Sequence, residues 1–292
     1  MGDPREVPLH FAGIDIGSTM TKVVILDANE TMVSVIKGPT GPEHRRLAHQ
    51  VMEMALAEAE LPLEEISYIV ATGYGRLNVP FADRQITELS CHTRGISTLF
   101  SNARTAVDMG GQDTKCMKIR DGKMINFVMN DKCAAGTGRF LEIVAGTLGI
   151  KVEDMGEISL RSSHKVQISN FCTVFAQQEV VSRLSEGVPM EDILAGLHDA
   201  LASRVASLAR RVGIEQDVVL TGGVAKNTGV VQAMRENLGC DFLIPEDPLI
   251  TGALGAAVLA REHAMKSLPK GETHLKRPRR LDQATFFGQG GI

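Results

Sequence analysis

Two segments of this sequence share one order: a β-branched apolar run, an aspartate, a glycine turn and a second β-branched run. The first contains Asp15 and Gly17, and the second contains Asp108 and Gly110. A short turn between two such runs predicts a β-hairpin. Because strand, glycine turn, two further strands and a helix follow one another twice, the sequence predicts an α/β fold of two duplicated domains with a cleft between them.

Apolar periodicity and Gly/Pro breakers give the other elements. We predict domains at 10–104 and 105–265, and tails at 1–9 and 266–292. The predicted strands are 10–17, 21–27, 31–37, 67–71, 115–119, 123–129 and 217–220, with another from 105 into the glycine turn. The predicted helices are 43–60, 138–148, 173–185, 190–211 and 253–261.

The first glycine turn has the residue types of a phosphate-binding loop. Gly17 lets the backbone turn tightly and present N–H groups to a phosphate. Asp15, at the strand end, is placed to hold Mg²⁺ through water, since this ion keeps most of its waters in proteins. Hydroxyl donors and one cation complete the loop: Ser18, Thr19, Thr21 and Lys22. The G-x-x-x-x-G-K-[ST] pattern of a P-loop does not occur here, and a plain hairpin turn remains the alternative.

The second glycine turn repeats this chemistry. Asp108 precedes Gly110 and Gly111, and Gln112 and Asp113 follow. A glutamine in such a position can orient the attacking water in phosphoryl transfer. We therefore expect Asp15, Asp108, Gln112 and Asp113 to carry the catalytic functions of a triphosphate site.

Two later segments are also rich in small residues. Gly222, Gly223, Lys226 and Asn227 follow a strand and precede a helix, a bare backbone suited to close approach of an adenosine. The stretch 251–257 is a small-residue helix start that suits close packing at a hinge.

In this order the four segments resemble the actin, sugar-kinase and Hsp-chaperone superfamily of ATPases, over residues 10–262. The resemblance implies two ribonuclease-H-like domains that close on ATP or ADP with Mg²⁺. It also implies that the segments serve in turn as first phosphate loop, second phosphate loop, adenosine loop and interdomain connector.

Two cysteines precede predicted helices: Cys133 and Cys172. A cysteine at a helix N-terminus is favoured as a metal-binding thiolate. A [4Fe-4S] cluster needs four thiolates, which a two-fold dimer of such chains would supply. Two unpaired thiols in a reduced protein are the alternative, and the spacing of all five cysteines excludes a C-x-x-C zinc or redox motif.

The strings around these cysteines, KCAAGTGRFLE at 132–142 and N-x-CTVFA at 170–176, resemble the activator ATPases of 2-hydroxyacyl-CoA dehydratases and benzoyl-CoA reductases. The resemblance implies that Cys133 and Cys172 bind one [4Fe-4S] cluster per dimer. We expect the other three cysteines to be core thiols: Cys91, Cys116 and Cys240.

The same resemblance implies ATP-driven electron transfer. A ferredoxin or flavodoxin would be the donor, and an iron–sulfur acyl-CoA enzyme the acceptor. The chain would pair with itself or with a sister ATPase subunit. Two other functions stay open on the residues alone: a small-molecule kinase of the same superfamily, with Asp108 or Asp113 as its catalytic aspartate, and a non-catalytic, nucleotide-dependent regulatory protein.

Composition limits the partners. The net charge is −4, so no global basic field attracts nucleic acid. No segment reaches the ~18 apolar residues that cross a membrane. The polar N-terminus has no signal-peptide pattern, and we expect a cytoplasmic protein without nucleic-acid or membrane partners.

Overall fold

The computed structural model describes residues 9–169, 172–267 and 281. The chain forms two compact units, one containing the residues up to Leu99 and those from Ile250, the other running Phe100–Leu249. The predicted tails lie almost entirely outside the described residues. Within these residues, no helix is long and apolar enough to span a membrane.

The first unit is a five-stranded sheet with helices packed on it. The sheet order is β3-β2-β1-β4-β5, with β1 antiparallel to β2 and parallel to β4. The predicted first hairpin is therefore confirmed. The elements are β1 (His10–Ile16), β2 (Met20–Leu26), β3 (Met32–Pro39), α1 (His44–Glu58), β4 (Ile66–Thr72), β5 (Arg84–Gln85), α2 (Glu88–Leu99) and α8 (Thr251–Ser267).

The second unit repeats the hairpin and adds more helices. The sheet order is β8-β7-β6-β9, with β6 antiparallel to β7 and parallel to β9. The elements are β6 (Thr105–Met109), β7 (Thr114–Arg120), β8 (Lys123–Asn130), α3 (Gly138–Leu148), α4 (Met155–Ser159), α5 (Thr173–Ser185), α6 (Met190–Val212), β9 (Val218–Thr221) and α7 (Thr228–Leu238).

The last helix lies in a different unit from the one predicted. We assigned residues up to 265 to the second domain, but α8 belongs to the first unit. A Cβ at Gly13 of β1 would collide with the backbone of α8, and one at Gly95 of α2 would collide with the carbonyl oxygen of Thr251. The small residues at the start of α8 thus allow backbone-to-backbone packing, as predicted, but against β1 and α2 of the first unit.

Strand β3 runs through a predicted breaker. Gly38 and Pro39 pair with Thr21 and Met20 of β2. Because β3 is the edge strand of its sheet, a proline at its end loses no ladder hydrogen bond.

A buried histidine marks the core of the second unit. His198 of α6 is fully buried; its Nδ1 lies 2.9 Å from Oγ of Ser159, and its Nε2 lies 3.5 Å from Nδ2 of Asn227. Burial lowers the pKa of His198 from 6.5 to about 4, because the charged form is desolvated. The folded protein therefore keeps this ring neutral.

This histidine makes stability depend on pH. Between pH 6.5 and 4 the unfolded chain binds a proton at His198 and the folded chain does not. The free energy of unfolding therefore falls as the pH falls through this window. At pH 5 the expected loss from this group is about 2 kcal/mol. Urea unfolding at pH 7 and pH 5 measures it, and His198→Gln should remove that part of the slope. An unchanged slope in the variant would contradict the assignment.

Candidate nucleotide loops and cysteine loop

The first glycine loop lies at the closed end of the β1–β2 hairpin. The N–H of Gly17 donates to the carbonyl oxygen of Met20 at 3.1 Å, which closes the turn. Asp15 and Lys22 are cross-strand partners, and Nζ of Lys22 is 3.1 Å from Oδ2 of Asp15. The hairpin thus places one carboxylate and one ammonium group side by side below the turn.

The other predicted residues of this loop occupy different environments. Thr21 is buried, and its hydroxyl lies 2.9 Å from that of Thr40. Ser18 is half-buried, and Thr19 is exposed at the tip. Ser18 and Thr19 therefore present their hydroxyls toward solvent more readily than Thr21 does.

The Oδ1 atom of Asp15 is available to bind a cation or a water. Its side chain is buried, and Oδ1 makes no hydrogen bond to any described residue. A Cβ at Gly73 would collide with Oδ1, and a Cβ at Gly252 would lie 2.9 Å from Oδ2, so glycines form the walls of this carboxylate's surroundings. Buried polar atoms are normally satisfied, and an orphaned carboxylate oxygen fits a hydrated Mg²⁺.

The second glycine loop has the same turn-closing hydrogen bond and the same aspartate–lysine pair as the first. The N–H of Gly110 donates to the carbonyl oxygen of Asp113 at 2.9 Å. Asp108 and Lys115 are cross-strand partners, as Asp15 and Lys22 are in the first hairpin. Asp108 is buried, Asp113 is half-buried and Gln112 is exposed. The three predicted catalytic residues of this loop therefore lie together at the end of one hairpin.

Lys115 is a site residue that the sequence analysis missed. Its Nζ is 2.7 Å from Oδ1 of Asp113 and 3.5 Å from Oδ2 of Asp108. The side chain is 2 % exposed, against 12 % for Lys22. The equal seven-residue spacing from aspartate to lysine in both hairpins was the signal that could have found it.

The duplication extends to the neighbouring parallel strand. Asp15 lies beside Thr72, and Asp108 lies beside Thr221. Each threonine precedes a glycine with a left-handed backbone, at φ +84° for Gly73 and +87° for Gly222. A side chain at Gly222 would collide with the carbonyl oxygen of Met109. Only glycine therefore fits at these two positions.

The buried ion pair predicts a large stability effect. In Lys115→Met the buried carboxylate of Asp108 loses its ammonium partner, and breaking such a pair costs about 3–5 kcal/mol. The matched control is Lys165→Met in the same unit, where Lys165 pairs with Glu236 and both side chains are nearly half-exposed, so about 1 kcal/mol or less is expected. Denaturant unfolding of both variants measures the difference, and equal losses would refute the pairing.

The predicted adenosine segment begins beside the second loop. Gly222 is buried next to Asp108, and Gly223 and Lys226 are exposed on the turn that follows. Asn227 serves as the N-cap of α7: its Oδ1 accepts the N–H of Val230 at 3.0 Å. The side chain of Asn227 thus has a capping role, and Gly223 and Lys226 are the accessible members of this segment.

The five cysteines fall into two groups. Cys133 lies in the loop between β8 and α3, Cys172 is the N-cap residue of α5, and both are half-buried. Cys91 and Cys116 are fully buried, and burial raises the pKa of each thiol to about 12. Cys240 is half-buried and packs at the edge of the core rather than within it as expected, and burial also raises its pKa. Thiolate ligation is therefore disfavoured at Cys91, Cys116 and Cys240, and the thiols of Cys133 and Cys172 fit an iron–sulfur ligand set.

Comparison with known proteins decides the family. A model of the BadF/BadG/BcrA/BcrD ATPase family matches residues 12–260. The chain belongs to this family.

Individual relatives agree with the match. The chain resembles the activator of 2-hydroxyisocaproyl-CoA dehydratase from Clostridium difficile, solved with bound ADPNP, at 44 % identity and TM-score 0.84, covering 89 % of this chain and 97 % of that one. It resembles a component of the (R)-2-hydroxyglutaryl-CoA dehydratase from Acidaminococcus fermentans at 44 % identity and TM-score 0.85, covering 88 % and 99 %. One of the benzoyl-CoA reductase subunits of Thauera aromatica is 30 % identical, covering 85 % of this chain and 91 % of that protein.

These matches confirm the predicted fold class. The two sheets, each with an antiparallel hairpin followed by a parallel strand, are the two ribonuclease-H-like units of an actin-like ATPase.

Proposed function

We propose that this chain is an ATP-hydrolysing electron-transfer protein that activates an iron–sulfur enzyme acting on acyl-CoA. The observation that carries the proposal is a juxtaposition within the second unit. The second glycine loop is hydrogen-bonded there to the start of α3, the helix that follows the half-buried Cys133. The N–H of Gly138 donates to the carbonyl oxygen of Gly110 at 2.9 Å.

The nucleotide part of the proposal assigns the loops to ATP and ADP. Backbone N–H groups of the Gly17 and Gly110–Gly111 turns, with Ser18, Thr19 and Lys22, bind the phosphates. Asp15 holds Mg²⁺ through its waters, Asp108 pairs with Lys115 beneath the second loop, and Gln112 orients the attacking water. Gly222, Gly223 and Lys226 lie along the adenosine. The neighbour solved with bound ADPNP supports nucleotide binding by this fold.

Asp113 takes a different function from the one first expected. The Oδ1 atom of Asp113 lies 2.7 Å from the Lys115 ammonium, so this carboxylate is already engaged in an ion pair within its own hairpin. We propose that Asp113 anchors Lys115 beneath the second loop and that Gln112 is the residue nearest the water.

The cysteine part of the proposal requires two chains. Cys133 and Cys172 give two thiolates, and a two-fold dimer, or a pair with a sister ATPase subunit, gives the four that a [4Fe-4S] cluster needs. The cluster, when bound, supplies a one-electron carrier of low potential. Each chain's contribution is to hold two of the four thiolates, one in the loop before α3 and one at the start of α5.

The relatives' names support a choice of partner. Two of them are components of 2-hydroxyacyl-CoA dehydratase systems at 44 % identity, and the benzoyl-CoA reductase relative is at 30 %. The higher similarity supports a 2-hydroxyacyl-CoA dehydratase as the acceptor. A ferredoxin or flavodoxin is the proposed donor.

The decisive experiment is a metal and nucleotide analysis of protein purified without oxygen. Iron, acid-labile sulfide and the reduced EPR spectrum are measured together with ATP hydrolysis. About four irons per dimer, with slow ATP turnover, is the expected result. A colourless, iron-free, air-stable protein that still binds ATP would overturn the electron-transfer function and favour a small-molecule kinase.

A further inference from the structure

The second phosphate loop is bonded directly to the start of α3. The N–H groups of Gly138 and Arg139 donate to the carbonyl oxygens of Gly110 and Gly111, at 2.9 and 2.8 Å. The first N–H groups of a helix have no partner within the helix, and here the phosphate loop supplies two of the missing acceptors. A shift of the loop therefore pulls on the first turn of α3.

A second set of bonds joins β7 and β8 to the cysteine loop, residues 131–137. Thr114 and Asn130 are partners across β7 and β8. The buried hydroxyl of Thr114 donates to the carbonyl oxygen of Gly136 at 2.6 Å. Nδ2 of Asn130 donates to the carbonyl oxygens of Cys133 and Ala135, at 2.8 and 3.0 Å. Cys133 is thus held through its own carbonyl by the last residue of β8, and the partner of that residue, Thr114 of β7, directly follows the phosphate loop.

The cysteine loop is restrained by its own hydrogen bonds and by packing. Both the N–H and the hydroxyl of Thr137 donate to the carbonyl oxygen of Ala134. Gly136 has a left-handed backbone, with the methylenes of Arg204 packed beside it. A cavity of about 230 Å³, lined in part by Thr114, Asn130 and Gly136, leaves room beside the loop. A restrained loop beside such a cavity can move as one rigid segment.

We infer that Thr114 and Asn130 are positioning residues that couple the nucleotide state of the second phosphate loop to the position of Cys133. The inference rests on the proposed function, because it assumes that this loop binds nucleotide. Thr114 follows Asp113 directly, so a change at the loop reaches its hydroxyl within one residue. The equivalent threonine of the first hairpin, Thr21, bonds instead to Thr40 of its own unit.

A structural connection alone does not show coupling, and thiol reactivity can measure it. The full-length chain is stripped of iron with a chelator, and alkylation of Cys133 by iodoacetamide is followed by peptide mass spectrometry, with and without Mg²⁺ and ADPNP. We expect ADPNP to change the Cys133 rate about fivefold or more, the range of ordinary allosteric coupling. In Thr114→Val and Asn130→Ala the change should fall below about twofold.

Thr105→Val is the matched control. Thr105 is a buried strand threonine of the same sheet; its hydroxyl donates to the carbonyl oxygen of Glu215 at 2.8 Å and accepts the N–H of Glu215 at 2.9 Å. This variant removes both bonds at the other end of β6 and should keep the full ADPNP effect on Cys133.

Calorimetry of ADPNP binding separates the possible failures. A wild-type protein that binds no ADPNP would refute the proposed function itself. Binding without any change in the Cys133 rate, or a full change retained in both folded variants, would overturn the coupling alone. Loss of ADPNP binding in both variants would also overturn it, because the two residues would then support the binding loop only. If Thr114→Val does not fold, the effect of ADPNP on the Cys133 rate in Asn130→Ala tests the coupling.

Discussion

Replacing either Cys133 or Cys172 by serine is expected to abolish iron binding while leaving nucleotide binding intact. Each residue would supply one of two thiolates per chain, so either change leaves a dimer with two ligands where four are needed. Both side chains are half-buried, so serine fits without a packing penalty. Iron analysis and the visible spectrum of anaerobically purified variants should fall to background, and ADPNP affinity should stay within about twofold of wild type.

Cys240→Ser is the matched control for this pair. Cys240 is also half-buried in the second unit, and burial raises its pKa, which disfavours a metal-binding thiolate. Its variant should keep the full iron content. Iron retained in Cys133→Ser, or lost in Cys240→Ser, would place the ligands elsewhere.

The hairpins and the long helices could be predicted because their signals are local. Alternating β-branched runs around a glycine turn gave both hairpins. Helices α3 and α5 have the predicted bounds, and α6 differs only at its last residue, Val212. In α3 and α6 the apolar pattern faces the core of the second unit, so periodicity and burial agree. In α5 the bounds were right although Val174 and Phe175 are exposed.

Helix α2 could not be predicted from periodicity. Its buried positions are mostly small or polar, including Cys91, His92, Thr93 and Gly95, because this face packs closely on the backbone of α8. A hydrophobic pattern is absent where two helices meet through glycines. The same contact explains why α8 was assigned to the wrong domain: its partners β1 and α2 both precede it by more than 150 residues, and sequence adjacency pointed to the second unit.

The site residues were predictable as far as the duplication was followed. Asp15 and Asp108 were found as turn residues, but the repeat was not extended to Lys115 or to the Thr72–Gly73 and Thr221–Gly222 pairs. These pairs lie on neighbouring parallel strands, so only the sheet brings them to the aspartates. Long-range register, rather than residue type, was the missing information.

The two copies of the hairpin have diverged in a way that divides their functions. In the first copy, Lys22 faces the carboxylate of Asp15, whose Oδ1 is unsatisfied among the described residues. In the second copy, Lys115 lies between two carboxylates. An unsatisfied oxygen suits a hydrated cation, whereas a doubly paired lysine suits a rigid base for the loop. The first copy is therefore the better candidate for the metal, and the second for holding the water-orienting Gln112.

This division predicts the effect of removing the first carboxylate. Asp15→Asn keeps the shape of the side chain and removes its charge, so the variant should fold, bind iron and lose ATP hydrolysis by about 10²-fold or more, as expected when a preorganised electrostatic group at the transferring phosphate is removed. The Mg²⁺ concentration that gives half-maximal hydrolysis should also rise. Steady-state hydrolysis over a Mg²⁺ series, with iron content measured on the same samples, checks both expectations.

Asp27→Asn is the matched control for Asp15→Asn. Asp27 follows β2 in the same unit, and its Oδ1 accepts the N–H groups of Asn29 and Thr31, at 2.8 and 2.9 Å, so it stabilises a turn and should leave hydrolysis unchanged. If Asp15→Asn hydrolysed ATP as fast as Asp27→Asn, the buried carboxylate would be a structural partner of Lys22 alone. The metal would then have to be assigned to Asp108, because it is the equivalent carboxylate of the second hairpin.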